Sequence, residues 1–240
     1  MSNLLSDEQM DQLEAWIGTG PKQFNLLYAI TRDGCGPAQF HKMCDNRGPT
    51  VTVVYNIKGS VFGGYTSLSW QSSNSWKRDD KAFLFQLAFS YNKLCRKFPS
   101  STTQDNVWHG PSHGPLFGRG HDLDLFYNTD VIPVNSVYSL GKARGEMKPS
   151  SSFVYDGVTT ADINNDTMDV VEVKVYSVIG MYPKVYQLVS QNDTNYYFTF
   201  TKKLVSPFEH FSALHSVTIL YFTRFHIYLD VLFSHQISVY

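Results

Sequence analysis

Asn25-Leu-Leu-Tyr-Ala-Ile-Thr-Arg-Asp-Gly34, then Phe40-His-Lys-Met-Cys-Asp-Asn-Arg-Gly-Pro49, Thr50 to Tyr55 and Val61-Phe-Gly-Gly-Tyr-Thr-Ser67 are the segments that decide the fold. Phe24 to Ile30 reads as a buried strand, and Asp33-Gly34 turns the chain. Pro37 then opens a short helix at its first position, where a missing amide costs nothing. Phe40, Met43 and Cys44 share the inward face of that helix. Val51 to Tyr55 and Val61 to Ser67 are β-branched and aromatic runs joined across Asn56-Ile-Lys-Gly59, which is a hairpin pattern. Gly63-Gly64 within the second run marks a bulge or a close approach of another backbone.

Outward from this centre, Ser6-Asp-Glu-Gln9 has the form of a capping box. Met10, Leu13, Trp16 and Ile17 then lie along one helical stripe, and Gly18-Thr-Gly-Pro21 stops the helix. Ala82 to Leu87 is a further strand. Ser100 to Gly120 reads as a mobile polar loop, and Val134 to Tyr138 as a short strand. Asp169 to Tyr176 alternates, with Val171, Val173 and Val175 expected on one face and Glu172 and Lys174 on the other. Short strands with few helices predict an α+β, mainly β fold: an antiparallel β-sandwich with short flanking helices.

The chain has 240 residues, 42% hydrophobic and 15% aromatic, enough for a substantial core. Twenty basic and 21 acidic residues give a formal charge of −1, so no basic field points to nucleic acid. The small cluster Lys93 to Lys97 reads as a solvated face. Cys35, Cys44 and Cys95 form no close pair, and Met1 to Leu5 lacks the basic start of a signal peptide. A reduced cytoplasmic setting is the expectation. From Met181 the composition turns aromatic and apolar. Val217 to Phe233 is interrupted by Arg224, His226 and Asp230, so no transmembrane span is expected there.

The ordered set Leu26-Leu-Tyr28, Phe40 to Asn46, Phe62-Gly-Gly-Tyr65, Ala82 to Leu87, Phe117-Gly-Arg-Gly120 with Asp122, and Val171 to Tyr176 resembles the TLDc domain family. The likeness spans residues 5–178, so a TLDc domain is expected over 1–180, with helix 6–17 and sandwich 23–178, and an unassigned tail over 181–240. The family has no established catalytic chemistry, so the resemblance implies a non-enzymatic protein-interaction module without a cofactor. It includes oxidation-resistance proteins that bind the V-ATPase, and interferon-induced 44-like proteins in which a GTP-binding domain follows. Cys44 to Tyr55 is similar to the second group. The resemblance therefore implies V-ATPase subunits or an immune effector assembly as partner, in innate defence or oxidative stress. No Gly-x4-Gly-Lys-Ser/Thr loop occurs, so no GTP site is expected in this chain. A C-terminus replaced by a truncated or aberrant reading frame is the expectation for the tail.

Under this reading the contact surface is shaped by Phe62, Gly63, Gly64 and Tyr65, and by Phe117, Gly118, Gly120, His121 and Asp122. The glycines beside Phe117 suggest a turn with positive φ. Two chemical alternatives stand beside it. His109, His113 and His121 with Asp122 and Asp124 could serve a metal-dependent hydrolase, although Gly110-Pro111 denies them helical spacing and the carboxylates read as solvated edge residues. Cys35, in the Gly34-Cys-Gly36 turn, is the most exposable thiol and a candidate redox sensor if Arg32 lowers its pKa. His41 and Cys44 share a helix face, but two ligands do not make a metal site. Trp70 and Trp76 flank a polar loop, as core or as contact residues.

Overall fold

The computed structural model describes residues 5–101 and 104–181, with the backbone of 187–190 and 196–199. The elements run α1 (Asp7–Ile17), β1 (Lys22–Ala29), α2 (Ile30–Asp33), α3 (Pro37–Cys44), β2 (Thr50–Asn56), β3 (Val61–Thr66), β4 (Trp76–Lys77), β5 (Phe83–Phe89) and β6 (Asn92–Pro99). They continue with β7 (Val107–Trp108), β8 (Leu116–Phe117), β9 (Leu123–Asp124), β10 (Tyr138–Ser139), a 3-10 turn (Leu140–Ala143), β11 (Glu146–Met147), α4 (Thr160–Asn164) and β12 (Asp169–Gly180). Two further strands, β13 (Gln187–Ser190) and β14 (Tyr196–Thr199), pair with each other. The remainder of the expected tail lies outside the described residues.

The long strands form one antiparallel sheet in the order β1-β12-β2-β3-β5-β6, with β10 also bonded to β12. A second sheet of two-residue strands runs β11-β9-β8-β7-β4. Side chains alternate across a strand, and here both faces of the long sheet are covered. Val54, Phe62, Leu84, Val173 and Val175 enter one core with Phe117, Leu123 and Val107 of the second sheet. Val51, Val53, Tyr65, Phe83, Phe85 and Leu87 enter another core, closed by Leu13 of α1. Strands buried on both sides read as continuous apolar runs, as the sequence of β2 and β5 does. The arrangement is the expected α+β, mainly β sandwich-like fold.

Helix α1 carries the expected cap. The Ser6 hydroxyl accepts from the Gln9 amide at 3.2 Å, and Gln9 accepts from the Ser6 amide at 3.2 Å. Trp16 meets the edge of Phe83 with ring centroids 6.2 Å apart. Lys97 donates to the Trp16 carbonyl at 2.9 Å while lying over the Phe83 ring, and Lys93 pairs with Glu8. The expected solvated face Lys93 to Lys97 is therefore strand β6, and it helps tie down the helix.

Gly63 and Gly64 answer to close approach rather than to a bulge. The β2–β3 register runs unbroken from Thr50↔Thr66 to Tyr55↔Val61. A Cβ at Gly63 would fall on the Thr52 carbonyl oxygen, with the Phe85 ring 2.9 Å away. A Cβ at Gly64 would lie 2.7 Å from the Phe117 ring. The two glycines admit one aromatic ring from each core.

Four expectations change in the structure. First, β1 is an edge strand, half-buried for most of its length, with only Tyr28 and Ala29 inside; β12 lies next to it, between β1 and β2. Second, β12 shifts register between Val170 and Glu172, so Val171 packs in the α1 core while Val173 and Val175 face the other. Glu172 and Lys174 are buried, and Glu172 accepts from the Thr31 hydroxyl at 2.5 Å. Third, the supposed mobile loop holds β7 and β8. Fourth, Val134 to Tyr138 is no strand: Val134 and Val137 exchange bonds of 2.9 and 3.0 Å across Asn135-Ser136, and only Tyr138 begins β10.

Gly63→Ala should lower stability by about 3 kcal/mol, because backbone rather than a flexible side chain must move to admit the methyl group. Urea denaturation of the variant against the parent chain reads this directly; an unchanged midpoint would show that β2 and β3 do not need this approach.

Candidate protein-contact site

The Gly-rich turn is built around a buried carboxylate. Gly118 sits at φ +80°, and a Cβ there would strike the Asp122 carboxylate. Asp122 is fully buried and accepts from the Ser150 amide (3.0 Å), the Ser150 hydroxyl (2.6 Å) and the Tyr155 hydroxyl (2.9 Å). Burial raises its pKa, opposed by those donors. Gly120 lies outside the left-handed region and instead makes room for Ser150; His121, at φ 60°, takes the second left-handed position. Asp124 is also buried, 3.1 Å from His121 Nδ1. The expected solvated edge carboxylates are thus internal structural groups.

The histidines do not converge on a common point. His109 is 1% exposed, its ring tilted at 39° against that of Trp70 with centroids 5.4 Å apart, and neither ring nitrogen has a hydrogen-bond partner among the described residues. His113 Nδ1 accepts from Trp108 Nε1 at 3.1 Å. His121 pairs with Asp124 and lies 3.5 Å from Glu146. His41, on α3, meets three oxygens: Asp45 at 2.8 Å, and the carbonyls of Gly110 at 3.0 Å and His113 at 2.9 Å. Among the described residues no group of three or more His, Cys, Asp or Glu is placed to hold a metal ion.

Cys35 is not the exposable thiol expected of it. It is 3% exposed, and burial pushes its pKa up to about 12, with Asp130 and Glu172 adding to the rise. A buried thiol with carboxylates for neighbours resists thiolate formation, so the geometry works against a redox sensor there. Trp70 is wholly buried, donating to the Thr50 hydroxyl at 2.8 Å. Trp76 is half-buried against Trp108. Phe62, Tyr65 and Phe117 are core residues. Around the Gly-rich turn, Arg119 is exposed and His121 partly so.

Among the described residues, the loop from Asn128 to Val137 carries two of the three most exposed large apolar side chains, the third being Tyr91. Ile132 is 78% and Val134 65% exposed, flanking Pro133. The loop is nevertheless held by hydrogen bonds in its first half. The Val131 amide donates to the Cys35 carbonyl at 2.7 Å, and the Asn128 amide to that of Ser112 at 2.8 Å. Asn135 (φ 51°) and Ser136 (φ 63°) form a two-residue turn of the type that matches strand twist. Between the loop and the 3-10 turn lies an open groove of about 430 Å³, walled by Val131, Ile132, Val134, Val137 and Ala143 with Lys142 at its rim. The signal for this loop in the sequence is Val131-Ile-Pro-Val134 between Asn128 and Asn135-Ser136, an apolar run within turn-forming residues that motif reading passes over.

Comparison with known proteins agrees with this architecture. The sequence matches the TLDc domain over residues 1–178, most of the chain. The chain belongs to the TLDc domain family. The relatives found are proteins named MTOR-associated protein MEAK7. The one from Danio rerio is 41% identical over 113 residues, covering 42% of this chain and 25% of the relative. The one from Gallus gallus is 26% identical over 161 residues, covering 63% and 31%. The one from Mus musculus is 30% identical over 67 residues, covering 28% and 15%. This TLDc chain thus spans about a third or less of these relatives' length. They are not interferon-induced 44-like proteins, the group to which Cys44 to Tyr55 pointed.

Two outcomes follow for this site. Native thiol titration should modify Cys95, the half-buried cysteine, well before Cys35 and Cys44; fast modification of Cys35 would restore the sensor reading. His109 is held down at about 4 by burial first and then by the Lys77 charge, and His113 at about 4 by burial and then by His121. Both folded values lie below the ordinary 6.5, so the unfolded chain binds more protons between pH 6.5 and 4. Their contribution to stability is whole above about pH 6.5 and is lost as pH falls toward 4. His109→Phe should therefore flatten the pH dependence of the urea midpoint in that window relative to the parent chain. An unchanged slope would show that His109 does not titrate on unfolding.

Proposed function

We propose that this chain acts as a non-catalytic TLDc module whose work is to hold a protein partner. The observation that supports the reading is the Asn128 to Val137 loop: it presents Ile132 and Val134 to solvent, while Asp122 and His41 are occupied inside the fold. Exposed apolar side chains on a rigid, hydrogen-bonded loop suit recognition, since little conformational freedom is lost on binding. In this reading Phe62 to Tyr65 and Phe117 to Asp122 shape the molecule from within, with Arg119 and His121 as the solvent-facing members of the turn. The hydrolase alternative lacks convergent ligands among the described residues.

The partner class belongs to the same proposal. The relatives are named as mTOR-associated, which favours an mTOR-containing assembly; the wider family resemblance adds V-ATPase subunits and an immune effector assembly. No helix among the described residues is long and apolar enough to cross a membrane, and a cytoplasmic setting is part of the reading.

Affinity capture with the full chain, against the same chain carrying Ile132→Ser and Val134→Ser, tests it. Both substitutions are at exposed positions, so the control should keep its unfolding free energy, read from urea denaturation, within about 0.5 kcal/mol of the parent. The expected result is enrichment of mTOR-complex or V-ATPase subunits by the parent chain alone. Identical capture profiles from parent and variant would end the assignment of this surface.

A further inference from the structure

We infer that the groove beside the loop takes an extended segment of a partner protein in which a bulky apolar side chain is followed closely by an Asp or Glu. The inference rests on the interaction-module reading and adds the chemistry of the occupant. Its first ground is shape. Val131, Val137 and Ala143 line the groove, and Ile132 and Val134 stand at its lip, so an apolar side chain is enclosed between loop and 3-10 turn. The Ile132-Pro133 step favours an extended backbone at the lip, and the Asn135-Ser136 turn fixes the far end.

The second ground is charge. Lys142 is exposed at the rim and has no hydrogen bond or ion pair among the described residues. Arg144, two residues on, lies over the Tyr127 ring 5.3 Å from its centroid and has no carboxylate partner among the described residues either. The acidic member of the rim is Asp130. It is already engaged by Gln39 Nε2 at 3.4 Å and packs beside Gly36. A ligand carboxylate is therefore attracted to Lys142 and repelled by Asp130, so the rim selects where the acid of the segment can sit. The same rim argues for a peptide over an anionic lipid surface. A bilayer would meet Asp130 together with Lys142, and only Ile132 and Val134 protrude to enter it.

The test is to pan random phage-displayed peptides on the full chain, then measure the recovered peptides by fluorescence anisotropy. Recovered sequences should pair an aromatic or branched aliphatic residue with a neighbouring acid. Binding should fall about tenfold in Ile132→Ser with Val134→Ser, and about fivefold in Lys142→Glu. Exchange of the peptide's acid for Lys should restore binding to Lys142→Glu. Recovery of no peptide, peptides without an acidic preference, or binding indifferent to Lys142→Glu would overturn the inference. So would co-sedimentation with phosphatidylserine-containing vesicles that is lost in the loop variant while no peptide binds. If Lys142→Glu leaves partner capture intact and the loop variant abolishes it, the module reading stands and this occupant is wrong. If loop and parent capture identically, the module's surface lies elsewhere whatever the peptides do.

Discussion

The close contact of β2, β3 and β5 at Gly63 and Gly64 is the constraint on which the rest of the structure hangs. With no side chain at either position, Phe85 can lie across one face of the sheet and Phe117 across the other. Each ring belongs to a different core. The sheet is therefore covered twice: by α1 on one side, and by the small second sheet with α3 and α4 on the other. Aromatic rings bury much apolar area, and here the missing Cβ atoms let two of them approach the backbone itself.

The second sheet depends on buried polar groups rather than on strand length. Its strands are two residues long, too short to hold by ladder bonds alone. Asp122 ties the Gly118 turn to Ser150 and Tyr155. Asp79 accepts from the Thr66 hydroxyl and the Ser67 amide, and its own amide and carbonyl are held by Asn106. His41 pins the Gly110 to His113 segment onto α3. Residues that resemble catalytic groups in a sequence are here the fasteners of irregular chain. A buried carboxylate with three donors is satisfied and has little capacity left for chemistry.

That division of labour also explains where recognition can occur. Segments fastened from inside present a fixed outline, and the Asn128 to Val137 loop is fastened through Val131, Asn128 and its own two-residue turn. Apolar side chains held in water at 78% and 65% exposure are costly for the free protein. A partner that removes them from water gains that area without having to order the loop.

The sequence alone determined the elements whose signal is local. The Ser6 to Gln9 capping box, Pro37 at the start of α3, the β2–β3 hairpin and the ordered TLDc motifs depend on near neighbours, and all were legible. Only the tertiary structure decided which groups are inside. Asp122, Asp124, His109 and Cys35 look like surface residues in a polar, glycine-rich stretch, yet each is enclosed by segments far away in the chain. The β12 bulge turned Val171 to the opposite core, a one-residue shift that alternation cannot report. The Ile132 to Val134 tip was the reverse case: an apolar run that composition assigns to a core is left in water.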